Sequence, residues 1–345
     1  MNDLVSEPTS IKLPRRPRLL PGLDVLERGP GEVQIGLDPR HAVVAAGLTP
    51  GVITALRGLD GKRSIDSVLL LAESEHGEQL RELLTEMTAR GLLTEADPPR
   101  HSARPGAETG LWSLRARHYQ QALQERRKHS SVAVHGDGRL AVAVAVLLAN
   151  AGIGHLDIKA SGTVTEQDLG SGYTDAELGM PRRAAIIQAV HRIGPETVTT
   201  RIFGAHRPEL VLLTDAVVPA PELVSELVTD GIAHLPVRVR DGTGIVGPLV
   251  VPGRSSCLRC ADLHRTSLDS CWPRVASQLA GRAQRPDLGA VQSCAALATA
   301  QVLRLLSPDE LPPPAWNATL EIDSYDGAVR HREWLPHPGC GCGAR

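Results

Sequence analysis

The chain has 345 residues, 42% hydrophobic and 22% charged, an ordinary globular composition that excludes wholesale disorder and is long enough for more than one core. A formal charge of −2 excludes a global basic field that would gather nucleic acid or an anionic membrane. Six cysteines are too few for a disulfide scaffold of this size, so closely spaced pairs point to metal.

In chain order, Lys12, Arg15, Arg16 and Arg18 stand between prolines and predict an extended arm over residues 1–22. No unbroken apolar stretch there makes a secretory signal, and the Ala/Val/Leu run at 140–149 is too short to cross a bilayer, so a cytoplasmic protein without a membrane partner is expected. Over 23–97 the pattern predicts a strand at Val33 to Leu37 and helices at 49–58, 64–74 and 77–90. Leu80, Leu83, Leu84 and Met87 share one helical face. Together these elements predict a small winged-helix-like α+β module. The polar, breaker-rich stretch from Asp97 to Ala107 predicts a linker, drawn at 98–110, before a helix at 111–127.

From Ser130 the pattern alternates between strands and helices. Strands are predicted at Ser131 to His135, Gly154 to Ile158, Glu209 to Thr214 and His234 to Val239, with helices at 140–150, 182–193 and 221–230. This order predicts an α/β domain over 111–345 with a mostly parallel, doubly wound Rossmann-like sheet. Asp326-Gly327, between Ala315 to Ser324 and Ala328 to Trp334, is a two-residue hairpin signal.

Two constellations carry chemistry. Gly136 and Gly138 fall at a strand-to-helix turn, where glycine either lets the backbone approach a phosphate or serves the turn's geometry alone. Cys257-Leu-Arg-Cys260 and Cys340-Gly-Cys342 suit a tetrahedral tetrathiolate zinc site with no open coordination position, hence a structural one. Both pairs lie beside Pro or Gly and read as knuckle turns rather than helix faces. Cys294 falls in an Ala-rich helical pattern and reads as buried, whereas Cys271, beside Trp272 and Pro273, reads as a loop residue, packing cysteine or nucleophile. His264 and His337 lie near the cysteine pairs as solvent-facing groups, outer partners or spare ligands.

The glycine turn, the stretch ELGMPRRAAIIQAVHRIGP, the strand end LVLLTDA, and CxxC with a late CxC together resemble the ThiF family, relatives of ubiquitin-activating enzymes, across roughly residues 130 to 342. The resemblance implies a ThiF-like Rossmann sheet, a structural zinc held by Cys257, Cys260, Cys340 and Cys342, and adenylation of a carrier's C-terminal carboxylate with ATP and magnesium. Carried across, Gly136 and Gly138 keep the nucleotide-binding loop, but Arg139 and Ala141 replace its other two glycines. The ribose-binding acidic pair falls on Ala160 and Gly162, unless a shift in alignment lets Asp157 serve, and the arginine contacting triphosphate is absent near DLGSGY. Arg182 stands for the family's lysine, and Asp215 keeps its type. These losses imply a degenerate site with poor ATP and magnesium binding.

A small recognition module fused to a ThiF-like body also resembles the leader-peptide-binding partners of YcaO-type cyclodehydratases in azole-forming peptide biosynthesis. That resemblance implies a scaffold in ribosomal peptide natural-product (bacteriocin) biosynthesis, with a precursor leader peptide added as a β-strand, a YcaO-type cyclodehydratase as partner, and a homodimer. The strand containing Val33, Gln34 and Ile35 is the expected edge for the peptide. The competing reading is an active ThiF-type adenylyltransferase, activating the C-terminal carboxylate of a small carrier protein or peptide, with Asp215 near magnesium and Arg182 on the phosphates. A DNA-binding winged helix fits less well, because Glu73, Glu75, Glu78, Glu82 and Glu86 outweigh Arg81 and Arg90 and would repel phosphate, so no nucleic-acid partner is expected.

Overall fold

The computed structural model describes residues 11–71, 73–96, 104–116, 120–202, 207–283, 285–307 and 311–344, without the side chains of 73–75 and 104–108. The chain divides into two compact units, Met1–Gln124 and Glu125–Arg345.

The amino-terminal unit builds strands first and helices second. Strands β1 (Pro17–Leu19), β2 (Val25–Gly29), β3 (Glu32–Ile35) and β4 (Val43–Ala45) precede helices α1 (Pro50–Arg57), α2 (Ile65–Leu70) and α3 (Glu73–Ala89). Then come β5 (Leu93–Glu95), α4 (Arg104–Ala116) and α5 (Gln120–Lys128), the last of which spans the division. Thr49 caps α1 by accepting from the Val52 amide at 3.4 Å, with Pro50 in the first turn, and Ser64 caps α2 through the Ser67 amide at 3.2 Å. The alternation in β3 turns Val33 and Ile35 inward, where they join Val52, Leu56 and the α3 face of Leu80, Leu83, Leu84 and Met87 in one core.

Three expectations change here. Strand β3 is not an edge: β2 and β4 pair with it on either side, because the chain turns back at Gly31 (φ +69°) and again before Val43. The expected arm contains β1, which pairs antiparallel with β5, while Leu20 beyond it is buried and the Glu95 carboxylate accepts from the Arg15 and Arg16 amides at 2.6 and 2.9 Å. Residues 98–103 of the expected linker lie outside the described residues, but 104–110 are helical, with Pro105 near the start of α4 where its missing N–H costs no hydrogen bond. The division between units accordingly falls after this helix rather than at 98–110.

In the carboxyl-terminal unit seven strands form one sheet in the order β12-β11-β10-β9-β8-β6-β7: β6 (Ser131–His135), β7 (His155–Lys159), β8 (Leu210–Thr214), β9 (Ala233–Arg240), β10 (Thr243–Val246), β11 (Ala318–Asp323) and β12 (Ala328–Glu333). The first four run parallel and the last three add an antiparallel margin. Helices α6 (Arg139–Asn150), α7 (Arg182–Ile193) and α11 (Leu288–Leu306) pack beside one another, and α11 lies on β9 and β10. Helix α8 (Pro221–Thr229) covers Ala133, Val211 and Leu213 on the opposite face, and α9 (Leu258–Leu268) and α10 (Trp272–Leu279) follow β10. Helix α11 is long and apolar enough to cross a membrane, yet it buries Cys294, Ala295, Ala298 and Val302 as a core helix. Four residues, Ser324 to Gly327, join β11 to β12 instead of the expected two, and Gly327 adopts φ +67°.

The chain leaves β6 for β7 on one side and returns to β8 on the other, so the strand order reverses between β6 and β8. Loops diverge at such a point and leave a crevice at the carboxyl ends of the strands, where open α/β sheets place ligands.

Candidate functional site

The loop after β6 and the end of β8 meet at this crevice. Gly138 is the N-cap of α6 and has no side chain to satisfy the first-turn amides. Those amides instead find Asp215: the Gly138 and Leu140 amides donate to its carboxylate at 2.9 and 3.2 Å, and the Thr214 hydroxyl donates at 2.9 Å. Asp215 is buried, at 4% exposure, with φ +72°, a left-handed conformation uncommon for a non-glycine residue. The two glycines have a concrete purpose in this arrangement. A Cβ on Gly138 would collide with the Asp215 carboxylate, and one on Gly136 with the Thr214 hydroxyl. A side-chain carboxylate thus occupies the helix N-terminus that would otherwise be free for an anion. Burial pushes the Asp215 carboxyl above its ordinary range, against the hydrogen bonds from Gly138, Thr214 and Leu140.

The same substitution recurs around the crevice. Asp137, between the two glycines, accepts from the amide and, at 2.8 Å, the hydroxyl of Ser161, which tethers the loop beyond β7 that contains Ala160 and Gly162. Arg182, the first residue of α7, is tied to Asp168 at 2.8 Å, and Asp168 also closes a capping box with Thr165. Burial works against ionisation of Asp168, but hydrogen bonds from Arg182 and Thr165 outweigh it and hold the carboxyl below its ordinary value. Arg139 turns away and donates to the Pro286 carbonyl at 3.2 Å. Asp157 lies in the middle of β7, buried, accepting from the Ile202 amide at 3.3 Å, so it does not take the ribose position at the strand end. His135, leading into the loop, has its pKa lowered to about 4 by burial and then by Lys159.

The four cysteines converge as expected. Their Sγ atoms lie within 4.8 Å of one another, with Cys257–Cys260 at 3.8 Å and Cys257–Cys340 and Cys260–Cys342 each at 3.6 Å. A tetrahedral metal with metal–sulfur bonds of about 2.3 Å needs sulfurs about 3.8 Å apart, so this donor set fits a structural metal ion of zinc's preferences. Val250 and Leu258 pack against the cluster. One detail differs from the expected pair of knuckles: Cys257 is the N-cap of α9 and Cys260 lies in its first turn, so a helix start presents both thiols, while Cys340 and Cys342 come from turns. His264 donates to the Leu335 carbonyl at 2.9 Å and packs edge-on against His337. Cys294 is buried in α11, and Cys271, the N-cap of α10, is exposed.

The structure therefore brings Gly136, Gly138 and Asp215 into contact and gathers the cysteines, but Arg182 is engaged by Asp168 rather than free for phosphate. Val33, Gln34 and Ile35 sit in the central strand of the amino-terminal sheet, with Val33 and Ile35 fully buried, so they do not form a free edge. Sequence reasoning missed Asp137, Asp168 and Thr214. The available signal was the aspartate inside the Gly136-Asp137-Gly138 turn and the one that opens DLGSGY; Thr214 left no such signal.

A family model described as the ThiF family matches residues 113–343. Protein HesA of Leptolyngbya boryana is 24% identical over 238 residues, which is 65% of this chain and 81% of HesA. Among solved structures, E. coli MccB with MccA-N7isoASN superposes with a TM-score of 0.69 at 14% identity, covering 95% of this chain and 99% of MccB. MccB with ATP gives 0.68 at 14% identity over 94% and 99%, and PaaA gives 0.66 at 17% identity over 91% and 98%. At these identities the likeness is one of fold. With the family model matching well over half of its length, the chain belongs to the ThiF family.

Proposed function

We propose that this ThiF-family chain is a precursor-peptide-binding scaffold in ribosomal peptide natural-product biosynthesis, with a nucleotide crevice closed by its own carboxylates. The observation that carries the reading is the capture of both Gly138 and Leu140 amides by Asp215, reinforced by Asp168 on Arg182. A triphosphate would have to displace these carboxylates and bear repulsion from Asp137 as well.

The related fold in MccB, a microcin C7 biosynthetic enzyme, holds N-formylated MccA, which supports a peptide as the partner. In this chain the edge that suits strand addition is β4. The opposite edge, β2, carries Glu27 and Arg28 and a bulge between Glu27 and Gly29, devices that discourage pairing. Strand β4 is uncharged, Val-Val-Ala, with Val44 49% exposed. Arg90 of the α3 end reaches the Ala42 carbonyl at 3.0 Å and Gln79 the Gly47 carbonyl at 3.3 Å, so α3 flanks both ends of that strand. A cytoplasmic setting, a YcaO-type cyclodehydratase partner, a homodimer and zinc in the cysteine cluster complete this reading.

The test is a titration of the full chain with short peptides encoded beside its gene. Strand addition with apolar pockets predicts micromolar to nanomolar affinity that survives moderate salt, weakened by Val44→Asp on β4 and unaffected by Leu26→Asp on β2. Absence of binding by every such peptide would reject the scaffold. The competing reading, an ATP-dependent adenylyltransferase, is favoured by the retained Gly136, Gly138 and Asp215 and by the fold shared with MccB in its ATP complex. It requires pyrophosphate exchange, which the closed crevice argues against.

A further inference from the structure

A cavity of about 510 Å³ opens in the carboxyl-terminal unit between α8, β9 and α9, apart from the Gly136–Asp215 crevice. One side is aliphatic, with Val217, Val224 and Val228, and Trp272 stands on another, while Asp262 and Cys257, Cys340 and Cys342 of the cysteine cluster border the rest. At its base Arg238 and Arg240 project from the same face of β9, because alternate strand residues share a face. Arg238 is only 6% exposed. It donates to the Gly247 carbonyl at 3.1 Å and, among the described residues, has no carboxylate in ion-pair distance; neither does Arg240.

Several arginines of the unit do have a carboxylate partner. Arg182 is met by Asp168 and Arg192 by Glu177, and Arg265, which also lines the cavity, is matched by Asp262 at 2.9 Å and stacked over Trp272 and Trp334. Burial lowers the pKa of Arg238 to about 9, and the nearby cations Arg265 and Arg240 lower it further against the smaller opposing influence of Asp262 and Glu321. A buried guanidinium with no carboxylate in contact is costly unless a ligand or a nearby anion supplies the opposite charge. The planar fork of a guanidinium matches a carboxylate in two parallel hydrogen bonds, and the aliphatic side matches an apolar body. Cavities of roughly 300–1,000 Å³ are of the usual size for small-ligand sites.

We propose that this cavity binds a monocarboxylate with an aliphatic body, its carboxylate on Arg238 and Arg240 and its body against Val217, Val224 and Val228. Two sources share that chemistry, the C-terminal carboxylate of an apolar peptide and a free branched-chain acid. The proposal is independent of peptide capture at β4, and it places the ligand on a different unit.

The experiment is calorimetric titration of the full chain with acetyl-valyl-leucine, its C-terminal amide, isocaproate and inorganic phosphate. The free peptide acid or isocaproate binds, whichever is tighter naming the source, and the amide is weaker by about tenfold or more, as is the acid with Arg238→Met. Because that substitution removes a buried charge with no carboxylate in contact, the ligand-free variant keeps or raises its thermal midpoint, which separates lost binding from lost folding. Arg240→Ala provides a second variant, with affinity again reduced. Equal binding of acid and amide, preference for phosphate, or no binding by any probe would overturn the proposal. So would loss of bound metal in Arg238→Met, since the arginine would then be serving the cysteine cluster as counter-charge.

Discussion

The cysteine cluster and the glycine-loop crevice stand in the same unit, and each gathers groups suited to an external ligand, yet they end differently. In the cluster four thiols converge at spacings of 3.6 to 3.8 Å, with geometry that a metal completes. In the crevice the donors are already satisfied from within, by Asp215 on the α6 amides, Asp137 on Ser161 and Asp168 on Arg182. On the proposed reading, retained motif residues are no guide to retained ligand binding. Cysteines have few internal partners to satisfy them, whereas amides and guanidinium groups can be met by any carboxylate that the chain supplies.

The largest effect that would test the contrast is metal removal. Structural zinc contributes on the order of 10 kcal/mol of folding free energy in small sites, so Cys260→Ser should unfold or aggregate the chain, and metal analysis of purified protein should find about one zinc per chain. Folded protein without metal would break the comparison on the cluster side.

On the crevice side, a loop filled from within should be dry, and His135 reports this. Its folded pKa, about 4, lies below its ordinary value of 6.5, so the unfolded state binds more protons between those values. The stability that its neutral form contributes is complete above pH 6.5 and is lost as pH falls toward about 4, at most on the order of 3 kcal/mol. Urea denaturation at a series of pH values should show that slope, and His135→Gln should flatten it.

Gly138→Ala comes next. The residue's φ of −106° suits any side chain, so the cost must come from the collision with Asp215, about 2 kcal/mol. In an Asp215→Ala background the same change should cost about 1 kcal/mol less, a coupling measurable by a double-mutant cycle in urea. An unchanged cost would mean the glycine serves something other than this carboxylate. As the small-effect control, Glu209→Gln breaks the partly exposed pair with Arg126 and should shift stability by about 1 kcal/mol or less.

Much of this was legible in the sequence, for identifiable reasons. The strands β6, β7, β8 and β9 are short apolar runs bounded by turns, and their helices carry 3.6-residue periodicity, so alternation gave the Rossmann-like sheet; the cysteine spacings gave the cluster. What stayed hidden depends on long-range pairing. No local pattern tells that β3 lies between β2 and β4, that Pro17 to Leu19 meet Leu93 to Glu95, or that residues 77 positions apart place Asp215 on the Gly138 amide. Helix α4 was obscured by Pro105 and Gly106, which read as linker residues although a helix start accommodates proline.

The central claim, that the crevice is closed to nucleotide by the chain's own carboxylates, is tested most directly by calorimetric titration of the full chain with ATP and magnesium. The account predicts no binding tighter than about millimolar, given losses of about 1 to 3 kcal/mol for each displaced or missing contact. Micromolar ATP binding that Asp215→Ala abolishes would contradict it and transfer the chain to the adenylyltransferases.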